Sequence, residues 1–167
     1  MSQGKYQSTE TTLDSAIHDS FSELETLKDE AQEQYDNMPD SFQNSSKGEQ
    51  LTEIVDNLDG INEVELPTEL EFLGEQTVTV MVIAKRKLSR AARRDNTVAA
   101  LRAAVELLEE RRDSFAEFAT GGGPTGDKPA DHAGPWTADE YQEASDACGT
   151  LANEIQEAID TAEAVEF

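Results

Sequence analysis

Cysteine is nearly missing: Cys148 stands alone in 167 residues, which excludes an internal disulfide framework and any metal site built on Cys. Histidine occurs twice, at 18 and 132, and leaves little for His-dependent catalysis. Aromatic residues make up 6% of the chain, with one Trp. There is no run of 18 apolar residues, so a membrane-spanning helix is not expected. Met1-Ser2-Gln3-Gly4-Lys5 lacks the apolar stretch of a secretion signal, so export by that route is not expected either. Lysine is scarce, at six.

What fills the space is acid. Asp and Glu number 36 against 13 Lys and Arg, a formal net charge of −23. At low ionic strength such a chain repels itself; at about 1 M salt the screening length falls to about 3 Å and the repulsion fades. The acids alternate with regularly spaced apolar residues and form no terminal block, so they read as solvated helix faces. This pattern points to adaptation to a saline cytoplasm. The cations are segregated. Nine of the 13 lie between Lys85 and Arg112 with only four acids, giving +5, and the remainder holds four cations against 32 acids, −28.

The spacing of apolar residues predicts a mainly α fold: amphipathic helices in a hairpin or bundle, with a short β segment near 77–83. Residues 1–10 are polar and expected to fray. Residues 11–119 form a helical domain. Its first helix carries Leu13, Ile17, Phe21, Leu24, Leu27, Ala31 and Tyr35 at three- and four-residue steps and ends before Pro39. A second runs from a Ser46-Lys47-Gly48-Glu49 capping box to a left-handed cap at Gly60. Thr77 to Ile83 is β-branched and reads as a strand; its partner would be residues 63–72, through a hairpin at Gly74, or another chain. Ser89 caps a long third helix reaching Ala119, whose seam of Val98, Leu101, Val105, Leu108 and Phe115 is interrupted by Arg112. Residues 120–136 are a Gly/Pro linker. The helix over 137–167 starts at a Thr137–Glu140 capping box and packs its narrow seam (Ala144, Cys148, Leu151, Ile155, Ala158, Ala162) on the domain or on a partner chain. Narrow seams favour a homo-oligomer.

Little here suggests catalysis. His18 reads as a helix-edge imidazole, His132 lies in the linker, and Cys148 is a small buried seam residue. The Gly121-Gly122-Gly123-Pro124 run lacks the Lys-Ser/Thr ending of a phosphate loop. No cofactor and no metal ligand set is expected, and the acids give no distinctive pair. The basic run, with Lys85, Arg86, Lys87, Arg90, Arg93 and Arg94, is the candidate binding site. It could contact phosphates from a helix N-terminus, dock on an acidic protein, or pair with acidic helices of its own or a sister chain. No aromatic interleaves it for base stacking, and no known DNA-binding signature surrounds it.

Three stretches carry a resemblance: Phe21-Ser22-Glu23-Leu24-Glu25-Thr26-Leu27-Lys28-Asp29-Glu30 leading to Tyr35-Asp36-Asn37-Met38-Pro39, Leu88-Ser89-Arg90-Ala91-Ala92-Arg93-Arg94-Asp95-Asn96, and Ala164-Val165-Glu166-Phe167. In this order they resemble small acidic helical proteins encoded by tailed viruses of bacteria and archaea. That family has no agreed activity, so no site residues carry over. The resemblance implies a viral gene product, here of a salt-loving host, located in the host cytoplasm or the virion. The expectation is a non-enzymatic protein acting by helix-mediated protein–protein association. The alternatives are a nucleic-acid-associated accessory protein using residues 85–94 and an acidic mimic of nucleic acid.

Overall fold

The computed structural model describes residues 5–120 and 136–167. The chain is mainly helical with a short β segment, as expected, and that segment belongs to a two-stranded antiparallel sheet. In order, the elements are β1 (Lys5–Thr12), α1 (Leu13–Asp36), the single turn α2 (Asp40–Gln43), α3 (Ser46–Asp59), a 3-10 segment (Thr68–Leu73), β2 (Thr77–Ala84), α4 (Arg90–Ala119) and α5 (Ala138–Ala164). Among the described residues no helix is long and apolar enough to cross a membrane. The Gly/Pro stretch expected as a linker, and His132 within it, fall mostly or wholly outside the described residues.

The apolar stripes meet as one core. α4 and α5 share the largest interface, and α1 packs on both α3 and α4. Leu27, Leu51, Leu101, Leu108 and Ile155 are fully enclosed, each such side chain contributing about 1.5–3 kcal/mol relative to exposure. Small residues let α5 lie close to α4. Ser145 Oγ donates to the Arg112 carbonyl at 2.9 Å, and a Cβ added at Gly149 would meet Arg112 Cδ at 3.4 Å. Arg112 therefore passes over a glycine where the seam was expected to break. The α5 seam is buried inside the chain, and the capping box at Thr137 forms in full.

Four local expectations are corrected. Residues 5–12 are a strand where a frayed terminus was expected. They pair with β2 from Lys5↔Ala84 to Thr12↔Thr77, without a bulge, because β2 needs a ladder partner and α1 delivers the preceding chain beside it. Residues 63–72 are consequently not that partner; 68–73 form a 3-10 segment instead. The cap of α3 is Ser45, not Ser46, with its Oγ accepting from the Gly48 amide at 3.4 Å. Gly60 is right-handed, at φ −73°.

The sheet has two unlike faces. Val78 and Val80 are buried toward the helices, while Tyr6 and Met81, 66% and 54% exposed, stand on the outer face. Two amides at the start of α1 are satisfied by the approach to β2: Leu13 N–H donates to Gln76 O at 2.8 Å and Asp14 N–H to Gly74 O at 3.1 Å. These bonds fasten the strand–helix corner.

Candidate functional site

The basic run is positioned by two anchors. Asn96, on the second turn of α4, binds the end of β2: Ile83 N–H donates to Asn96 Oδ1 at 2.7 Å, and Asn96 Nδ2 donates to Ile83 O at 3.4 Å. Ser89 caps the same helix, its Oγ accepting from Ala92 N–H at 3.2 Å. The chain must therefore reverse between Ala84 and Arg90, and Lys85, Arg86 and Lys87 occupy the bend.

The six candidate residues separate into two groups. The three arginines of α4 are held within the molecule. Arg90 donates through Nε to Glu30 Oε2 at 3.1 Å, to Gln34 Oε1 at 2.6 Å and to the Glu30 carbonyl at 3.1 Å. Arg93 bridges two turns of α1, donating to Glu23 Oε1 at 2.5 Å and Glu30 Oε1 at 2.7 Å. Arg94 donates to the Val165 carbonyl beyond α5 and to Asp95 at 2.7 Å. The Arg93 hydrogen bond, reinforced by Arg90, holds the Glu30 carboxyl below its ordinary 4.5, against the opposing effect of burial. Arg93 is raised in turn, mainly by Glu23. The Arg90 and Arg93 contacts are charge-assisted and multidentate and join α4 to α1, whereas Arg94 ties α4 to the residue that follows α5.

Further along α4 the remaining cations are engaged too. Arg102 meets Glu163 at 2.5 Å, Arg111 donates to Gln76 Oε1 at 2.9 Å, and Arg112 lies 2.9 Å from Asp113. The Asp113 hydrogen bond raises the Arg112 pKa.

Lys85, Arg86 and Lys87 are different. All three are exposed, and none forms an ion pair with another described residue. Lys85 and Arg86 border a cleft of about 530 Å³ between the sheet, α1 and the start of α4. Its apolar part comes from Ala16, Val80, Val82, Leu88 and Ala100, and its polar rim includes Thr9, Thr11, Asp19 and Asn96. This cleft is not legible from the sequence, because its wall joins α1, the start of α4 and both strands, and Thr9 and Thr11 enter it only through the pairing of β1 with β2.

The other candidate chemistry is accounted for. Cys148 is enclosed, and burial pushes its thiol up to about 12 although Arg111 and Arg112 oppose this. His18 is exposed, 3.9 Å from Glu63. Among the described residues no three His, Cys, Asp or Glu side chains converge as a metal site. Comparisons with protein-family models, curated proteins and solved structures found no match.

Proposed function

We propose that this chain is a non-enzymatic protein that acts by protein–protein association, with Lys85, Arg86 and Lys87 as the contact that docks on an acidic partner surface. The observation that carries this reading is the division within the basic run. Arg90, Arg93 and Arg94 serve the fold, whereas the three residues of the bend are exposed and unpaired among the described residues. Three adjacent cations on a molecule of net charge −23 mark where an acidic surface can approach without meeting acid. The α5 seam is already buried against α4, so association runs through the bend and the sheet beside it, and needs no helix seam.

The resemblance to tailed-virus proteins supplies the setting: a viral protein of a salt-adapted host, working in the host cytoplasm or the virion. Association with nucleic acid is the second reading. It has lost the three arginines that would have read phosphates from the α4 N-terminus, and it now rests on the bend alone. The decisive experiment is affinity isolation of the tagged chain at molar salt, with and without nuclease, for the wild type and for the triple variant Lys85→Glu, Arg86→Glu, Lys87→Glu. Nuclease-resistant protein partners that fall by about tenfold or more in the variant, as expected when contact charges are reversed, support association. Nuclease-sensitive recovery would transfer the function to nucleic acid. Partners that ignore the triple variant would overturn the site.

A further inference from the structure

β1 has an open edge, and its register tells which groups line it. Ile83 directs both its N–H and its C=O to Asn96, away from β1. Tyr6 is its Cα partner, so Tyr6↔Ile83 is a non-hydrogen-bonded pair, and the main-chain groups of Tyr6 also point away from the ladder. The alternation extends this to Ser8 and Glu10. None of the three makes a main-chain hydrogen bond outside the sheet among the described residues, and all three are exposed. No proline or bulge blunts this edge, which are common protections of an edge strand.

From this edge we infer that the chain forms a two-fold dimer in which β1 pairs antiparallel with β1 of a second copy, making one four-stranded sheet. The inference rests on the association reading above and names the acidic surface as a second copy's. The charges select that occupant and its direction. With Ser8 opposite Ser8 across the two-fold axis, Tyr6 faces the second copy's Glu10, and each such pair exchanges both main-chain hydrogen bonds. The bend at Lys85–Lys87 follows Ala84, at the Lys5 end of β1. Antiparallel pairing brings the second copy's Glu10, and Asp14 just beyond its β1, to that cationic end. A parallel, in-register pair would instead set Glu10 beside Glu10, and an unrelated acidic strand would meet Glu10 without that compensation. The interface is isologous and closes at two copies.

Sedimentation equilibrium of the full chain at molar salt tests this, and twice the chain mass is expected. Ser8→Pro removes an edge N–H that β2 does not use, a position where a strand accepts proline, and should return the monomer with unchanged helical circular dichroism. Ser8→Cys provides a second test should the proline variant fail to fold. Its two copies would stand about 5.5 Å apart at Cα, within disulfide range, and should cross-link on mild oxidation. Thr9→Cys, facing Gln7 of the other copy, should not. A monomeric wild type, or a dimer untouched by Ser8→Pro, or equal cross-linking of both cysteine variants would overturn the inference. The association reading has its own readout: a monomer whose partner capture still depends on Lys85, Arg86 and Lys87 would retain that reading while removing the dimer.

Discussion

Asn96 acts as a one-residue strand for Ile83, its side-chain amide both accepting from and donating to the main chain of that residue. This contact fixes where β2 stops and therefore where the basic bend begins. Asn96→Ala leaves the Ile83 amide without its partner, a loss of about 1–2 kcal/mol. Chemical denaturation should show that decrease. Hydrogen exchange should accelerate at Ile83 first, with the amides of α5 far less affected; uniform acceleration would mean that the clamp is only one part of the general packing.

Acid should weaken the contact between α1 and α4 through Glu30. The Glu30 pKa is depressed when folded, so its stabilising effect is present above about pH 4.5, near the value for the unfolded chain, and is lost as pH falls through the lower folded value. Glu30→Gln should lower stability at pH 7 by about 1 kcal/mol, a modest figure because the pair is partly exposed and salt-screened. The gap between variant and wild type should close as pH falls below about 4.5. Thermal melts at a series of pH values would measure it, and a gap that persists at pH 2 would assign the effect to packing.

Gly48 is required by space, not by backbone conformation. A Cβ there would stand 1.9 Å from the Gln43 carbonyl oxygen, a main-chain atom that cannot move aside as a side chain can. Gly48→Ala should therefore cost about 1–3 kcal/mol despite alanine's better helix propensity. Gly60→Ala is the control, because Gly60 has φ −73° and its nearest neighbour would be 3.4 Å away; its melting temperature should hold or rise.

The helices were legible because each carries its own apolar stripe. Leu13 through Ala31, Val98 through Phe115 and Tyr141 through Val165 are buried where their spacing implied. β1 was not legible, since Tyr6-Gln7-Ser8-Thr9-Glu10 has no apolar alternation and takes its strand form from a partner more than 60 residues away in sequence. The cap of α3 slipped by one residue because Ser45 and Ser46 are chemically equivalent and only Gly48's close approach distinguishes them. The candidate site was half legible. The six basic residues look alike in sequence, and their division depends on α1 placing Glu23 and Glu30 two turns apart on the face that α4 meets. That seven-residue interval opposite an Arg-x-x-Arg spacing was the available signal.

At the end of α4 remote from the basic bend, Phe72, Phe115, Trp136 and Tyr141 form an aromatic cluster with a practical consequence. Trp136 is the one tryptophan in the chain, and its ring centroid lies 5.3 Å from both Phe72 and Tyr141 and 6.0 Å from Phe115. Those neighbours come from the segment before β2, from α5 and from α4. The chain thus carries its own optical gauge of assembly: indole emission originates at the junction of three segments distant in sequence, and its red shift on unfolding reports when that junction parts, without any added label.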